Sequence, residues 1–154
     1  MLNIQKHPEE TNNTLPPATG PAGNYVDCVI VGNILKISGK GPLSPEGIVP
    51  TGKLGAEFTK EEGYQLARLV GMNMLSVLEK ELGSPARIER VVEIQGMINA
   101  VPSFTEHHKV LDGLSDFLIE RFGDSGRHVR SVFGANSLRD NLPIIATGTF
   151  IIRP

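Results

Sequence analysis

Apolar residues recur in this chain with two periods, and the order in which those periods alternate restricts the fold more than any other feature. Between Ile88 and Ala100 the period is two: Val92, Ile94, Gly96, Ile98 and Ala100 share one face, and Val91, Glu93, Gln95, Met97 and Asn99 the other. This predicts a strand with one dry and one mixed face. On both sides of it the period is helical. Leu66, Val70, Met74, Val77 and Leu78 form one stripe behind the capping-box pair Thr59 and Glu62, and Gly83 with Pro85 end it. Val110, Leu111, Leu114, Phe117, Leu118 and Phe122 form a second stripe behind Ser103 and Glu106, with Gly123 as its C-terminal cap.

The flanks are β-rich. Tyr25 to Val31 and Ile34 to Ser38 read as two strands joined by the hairpin turn Gly32-Asn33. Val129 to Leu138 and Pro143 to Ile152 read as two more, joined by the polar turn Arg139-Asp140-Asn141. Gly39 to Gly55 carries Pro42, Pro45 and Pro50, which makes it a long loop, and loops of that length are often functional. His7 to Gly23, crowded with Pro, Asn, Thr and Gly, reads as an irregular arm, so an arm over 1–24 precedes one domain over 25–154. The order strand-strand-helix-strand-helix-strand-strand predicts an α+β domain with both helices on one face of a single sheet. Its other face would then expose Tyr25, Val29, Val31, Met97 and members of Ile144-Ile145 and Phe150-Ile151-Ile152, a surface suited to a closed homo-oligomer.

With 15 Lys and Arg against 17 Asp and Glu, a formal net charge of −2 argues against binding nucleic acid or an anionic membrane by bulk attraction. A small molecule or a protein is the expected partner. No apolar run approaches the roughly 20 residues of a spanning helix, and Met1 to Glu10 lacks a signal-peptide layout, so a soluble, cytoplasmic chain is expected. Cys28 has no intrachain partner and lies in the apolar run Val26 to Val31, as a core residue would. His107 and His108 point about 100° apart on a helix, and no CxxC or HExxH occurs, so no metal is expected. Gly39-Lys40-Gly41-Pro42 lacks the Gly-Lys-Ser/Thr ending of a phosphate cradle, and GxSxG is absent. Without a cofactor motif, catalysis would fall to side chains and water.

One segment draws attention on those terms: Gly126-Arg127-His128-Val129-Arg130-Ser131 opens a strand with His128, Arg130 and Val132 on one face. Arg130 offers a rigid fork matched to a carboxylate, and its charge cannot be titrated away. It would either anchor a small organic acid or pair with a structural acid and backbone carbonyls; the local residues alone weigh toward the second. Asn73, in the apolar stripe of the first helix, reads as a satisfied core amide. Gly113, inside the second helix, costs about 1 kcal/mol relative to Ala and points to close packing against the sheet.

Several patches resemble a known family in order. They are Gly23-Asn24-Tyr25-Val26, Val31-Gly32-Asn33, the loop Ile37-Ser38-Gly39-Lys40-Gly41-Pro42-Leu43-Ser44-Pro45, Asn73, and Arg130-Ser131. Together they resemble the YjgF/RidA family of reactive-intermediate deaminases, also labelled endoribonuclease L-PSP or translation-initiation-inhibitor-like. Leu111-Asp112-Gly113-Leu114-Ser115-Asp116 and Gly126 to Ser131 resemble its longer, less characterised branch. The resemblance implies a chorismate-mutase-like α+β fold with a mixed sheet, a homotrimer and three clefts between subunits. It implies hydrolysis of a 2-imino or 2-enamino acid to a 2-keto acid and ammonia, and it tips Arg130 toward the carboxylate-binding role. The Val132 backbone N–H would be a second donor, with Tyr25 and Ser38 lining the cleft. Two positions depart from the pattern: Ile145 stands where the deaminase branch has a Glu, and Val132 where it has a Cys. An apolar residue cannot relay a proton. His128, with an unperturbed pKa near 6.5 that Arg130 would lower, is the candidate replacement, and His108 a weaker one. The rival expectation is a non-catalytic trimer that binds a small carboxylic acid. A ribonuclease or translation inhibitor is implied by the family label alone.

Overall fold

Turn chemistry sets the first hairpin of the computed structural model, which describes residues 14–154. Strand β1 (Cys28–Val31) pairs antiparallel with β2 (Ile34–Lys40), and of the two turn residues only Gly32 has positive φ, 62°, as a type II′ turn requires. β1 starts three residues later than its pattern predicts. The Tyr25 N–H donates to the Gly23 carbonyl at 3.0 Å and the Tyr25 Oη accepts from Ala22 N–H at 2.9 Å, which curls this stretch into a turn.

Helix α1 (Lys60–Leu82) begins at the expected capping box: Glu62 N–H donates to Thr59 Oγ1 and Thr59 N–H to the Glu62 carboxylate. It ends at Gly83, whose φ of 78° is the left-handed conformation glycine adopts without cost. Helix α2 (His107–Phe122) departs from expectation at its start, because Ser103 and Glu106 form no capping box. The Glu106 carboxylate turns instead to Lys60 and Lys109, at 3.5 and 3.0 Å, and a turn from Val101 to Phe104 precedes it.

Strands β3 (Ile88–Asn99), β4 (Val129–Ala135) and β5 (Ile144–Ile152) complete a five-stranded mixed sheet in the order β1-β2-β5-β3-β4. Among the strands of the described residues only the β3–β4 pair is parallel, and α2 is the crossover that joins them. Both helices cover one face. Leu66, Val70, Met74 and Leu78 of α1 and Leu111, Leu114 and Leu118 of α2 bury against Leu35, Ile94, Ile98, Ile144 and Phe150 of the sheet.

Simple alternation fails in the first half of β3. Register shifts against β5 between Ile88 and Arg90, and again between Val91 and Glu93, mark bulges that reset the side-chain parity. Val91 is consequently buried in the core and Val92 only half-buried, the reverse of the pattern reading. On the helix-free face Val29, Val31, Ile34, Val129 and Phe133 are exposed, beside half-buried Met97, Ile145 and Ile151. Ile144, Phe150 and Ile152 belong to the core instead.

Before β1 the chain from residue 14 to 20 forms no helix or strand, but it is tied down: Ser76 Oγ donates to the Pro16 carbonyl at 2.7 Å and Thr19 Oγ1 to Asn73 Oδ1 at 3.2 Å. The earlier part of the arm, and the Met1 to Glu10 stretch, lie outside the described residues. Asn73 also donates to the Gly41 carbonyl at 3.0 Å, so its amide links helix, arm and loop. Among the described residues no helix is long and apolar enough to cross a membrane.

Gly113 earns its place through α1 and not through the sheet: a Cβ there would lie 2.0 Å from the Tyr64 carbonyl oxygen. Helix propensity alone would make Gly113→Ala stabilising by about 1 kcal/mol. Contact with immovable backbone outweighs it, since overpacking costs about 1–3 kcal/mol or more. Urea denaturation should therefore show a lower midpoint for Gly113→Ala, and an equal or higher midpoint would refute this account of the helix crossing.

Candidate functional site

Alternation along β4 sends His128, Arg130, Val132 and Gly134 to the helix-covered side, where Arg130, Val132 and Gly134 stand in register with Ile94, Gly96 and Ile98. A permanent cation on that side requires acceptors. Helix α2 supplies them from one face, since His108, Asp112 and Ser115 follow at four- and three-residue spacing. Arg130 Nη1 donates to Ser115 Oγ at 3.0 Å and Nη2 to the His108 carbonyl at 3.1 Å, while Asp112 Oδ1 lies 2.8 Å from Nη2.

His128 joins the same cluster through Ser115, with 2.9 Å between Nε2 and Oγ; its Nδ1 lies 2.6 Å from the Gly126 carbonyl. A carbonyl only accepts, so Nδ1 carries a hydrogen. Arg130 only donates, so Ser115 Oγ accepts from it and directs its own hydrogen to an unprotonated Nε2. Burial holds the His128 pKa below its usual value and the Arg130 cation pushes the same way, against the Gly126 carbonyl. The imidazole is thus a neutral acceptor. Gly126 allows this arrangement because a Cβ there would meet the Leu118 carbonyl oxygen of α2 at 2.3 Å. The cluster opens to solvent at the Asp112 and Arg130 side chains, 49% and 24% exposed, while Ser115 is buried.

The other expected site residues lie elsewhere in the protomer. Ser38 Oγ is spent on the Val26 carbonyl at 2.6 Å, and Tyr25 is exposed just ahead of β1. β1 and β4 are opposite edges of the sheet, separated by four strand spacings, or about 19 Å. Ser38 lies on β2, three spacings from β4, so one chain brings neither it nor Tyr25 to Arg130. Val132 is half-buried against the core, and the exposed His108 contributes its carbonyl to Arg130. Ile145 is opposite Met97 on the helix-free side, away from Arg130, and crowds Gly39, where a Cβ would meet its Cγ2 at 2.8 Å.

Asp112 and Ser115 are the members that sequence reasoning did not single out. Their signal is their spacing on α2 relative to His108, which the stronger apolar stripe of the same helix masks. Lys53 was missed too: its Nζ donates to Asn99 Oδ1 at 2.8 Å and to the Asn136 carbonyl, pinning the long loop to the ends of β3 and β4. Lys40, from the glycine-rich stretch, is buried in an ion pair with Asp27. Burial, reinforced by Glu81 and Asp27, pushes the Cys28 thiol up to about 11, leaving it inert at neutral pH. Among the described residues no group of three or more His, Cys, Asp or Glu could hold a metal ion.

A family model described as "YjgF/chorismate mutase-like, putative endoribonuclease" matches residues 10–145. The chain belongs to this family. Protein TCP17 of Trypanosoma cruzi is 40% identical over 125 residues, which cover 80% of this chain and 78% of TCP17. Among solved structures of the family's fold, Atu1372 of Agrobacterium tumefaciens, of unknown function, is 33% identical with a TM-score of 0.81, over 88% of this chain and 86% of its own. A candidate endoribonuclease of Shewanella oneidensis is 34% identical with a TM-score of 0.86, over 90% of this chain and 91% of its own.

The neutral state of His128 has a consequence for stability in this family member. Its folded-state pKa lies below the unfolded value near 6.5, so the unfolded chain takes up a proton that the folded chain refuses. The contribution is complete above about pH 6.5 and is lost as pH falls through the folded-state value. Thermal denaturation between pH 8 and 5 should show that decline in the wild type and a shallower one in His128→Gln. Identical slopes would contradict the assignment.

Proposed function

We propose that this protein hydrolyses small 2-imino or 2-enamino acids to 2-keto acids and ammonia, with Arg130 binding the substrate carboxylate. The observation that carries the reading is a permanently charged guanidinium, still partly open to solvent, on an edge strand and beside a neutral imidazole. In this reading the guanidinium orients the acid, and water adds to the imine carbon as the C=N electron pair moves to nitrogen. Ser115 passes the proton lost by the water to His128 Nε2, in place of the Glu that Ile145 has replaced. His128 returns that proton to the nitrogen, and as the C–N bond breaks the hydroxyl O–H electron pair forms the carbonyl while its proton leaves on the nitrogen as ammonia; a 2-enamino acid first becomes the imine by gaining a proton at C3 and losing one from nitrogen.

The complete cleft needs more than one copy. Tyr25 and Ser38 lie on the β1–β2 side of the sheet and Arg130 on the β4 edge, so a head-to-tail contact would bring one protomer's β1–β2 side to its neighbour's β4 side. Three copies close such a ring, with Val29, Val31, Ile34, Val129 and Phe133 supplying an apolar face to bury. The Val132 N–H, on the edge strand, would be the second donor to the ligand.

A non-catalytic carboxylate-binding trimer is the second reading, favoured by one observation: Ile145 offers no proton-transfer group. Cleavage of RNA, suggested by names in the family, fits poorly with a net charge of −2.

Ammonia release from freshly generated 2-aminoacrylate tests the proposal. A charge-assisted hydrogen bond is worth about 1.5–3 kcal/mol, so Arg130→Ala should lower kcat/KM by about 10- to 100-fold. Equal rates for the two proteins would remove Arg130 from the site, and saturable keto-acid binding without turnover would establish the second reading.

A further inference from the structure

We infer that Asp112 sets the charge type of the ligand: together with Arg130 it selects small acids bearing a cationic nitrogen beside the carboxylate, 2-ammonio or 2-iminio acids, over 2-keto acids. The inference rests on the proposed role of Arg130 as the carboxylate site.

Three observations support it. The Asp112 carboxylate and the Arg130 guanidinium are 2.8 Å apart, and both side chains reach solvent, whereas their neighbour Ser115 is buried. The guanidinium also donates to Ser115 Oγ and the His108 carbonyl, so two neutral acceptors hold it in place beside the carboxylate. An ion pair this exposed adds little to stability. Finally, the other acids of α2 and its N-cap are engaged elsewhere. Asp116 accepts from Tyr64 Oη at 2.6 Å, Glu120 pairs with Arg68 at 2.7 Å, and Glu106 is held by Lys60 and Lys109.

The local charge is therefore one anion and one cation, flanked by a neutral imidazole and a hydroxyl. A 2-keto acid entering this field gains Arg130 but places its single charge against Asp112. In a 2-ammonio or 2-iminio acid the nitrogen and the carboxyl carbon are about 2.5 Å apart, bonded to one common atom. That matches the spacing of the pair, so the ligand carboxylate meets Arg130 while its nitrogen donates to Asp112. The same pattern disfavours the product, because hydrolysis removes the cationic nitrogen and leaves a keto acid facing Asp112.

Calorimetric titration of the full chain with alanine and with pyruvate, a pair differing in the nitrogen, tests this directly. Wild type is expected to bind alanine about 10-fold more tightly than pyruvate. Asp112→Asn should weaken alanine by about 10-fold and tighten pyruvate, reversing the order, and Asp112→Glu should restore the preference. Arg130→Ala should lose both ligands. If Asp112→Asn weakens both ligands equally, Asp112 merely braces Arg130 and the inference fails while the carboxylate site stands. If Arg130→Ala changes neither affinity, or wild type binds neither ligand, the carboxylate site itself fails and the inference with it. Should Asp112→Asn not fold, an unaltered ligand preference in Asp112→Ser would overturn the inference by the same comparison.

Discussion

The charge on Arg130 cannot be removed at any physiological pH, and β-strand alternation places it on the side of the sheet that the helices cover. Everything around it answers that constraint. Helix α2 aligns a carbonyl, a hydroxyl and a carboxylate toward the guanidinium, and in doing so it fixes edge strand β4 against the rest of the domain. Glycines make the fit possible: Gly113 lets α2 reach the Tyr64 carbonyl of α1, and Gly126 lets the turn before β4 reach Leu118. A side chain at either position would move α2 or the strand and scatter the acceptors. The same geometry delivers His128 to Ser115 as a neutral base beside a cation, a combination useful for handling protons near a bound anion.

The sheet divides the remaining work between its two faces and two edges. One face and both helices make the core, and the opposite face keeps a row of large apolar side chains at the surface. The polar groups expected of a ligand cleft are split between the β1–β2 side of the sheet and edge strand β4. This division has a simple economy under the proposed assembly: a contact that hides the apolar face also completes the cleft, so a folded protomer would be stable yet unable to bind until it assembled.

Local chemistry was legible in the sequence. The α1 stripe, the Thr59 capping box, Gly83 and the Gly32 turn each depend on residues a few positions apart, and all are present. The alternation that puts His128 and Arg130 on one face was equally readable. Features that depend on a partner strand or helix were not. The bulges of β3 arise from its pairing with β5, so nothing within Ile88 to Val92 announces that Val91 and not Val92 enters the core. Gly113 signalled a close approach without revealing that α1, and not the sheet, makes it. Asp112 and Ser115 join the site only because β4 lies beside α2, a pairing that the neighbouring residues of the helix do not encode. Ser103 and Glu106 matched a capping pattern, but ion pairs with Lys60 and Lys109 claimed the carboxylate.

The most direct test of the shared cleft mixes chains damaged on opposite sides. Arg130→Ala and Tyr25→Ala chains, each expected to bind carboxylic acids poorly alone, would be co-expressed with different tags and purified as mixed oligomers. If the cleft joins two protomers, each mixed trimer regains an intact pairing in one of its clefts, about a third of the total, and calorimetry detects that fraction binding with wild-type affinity. Mixed oligomers that bind no better than their separate parents, or a lone protomer that binds as well as the assembly, would contradict the account.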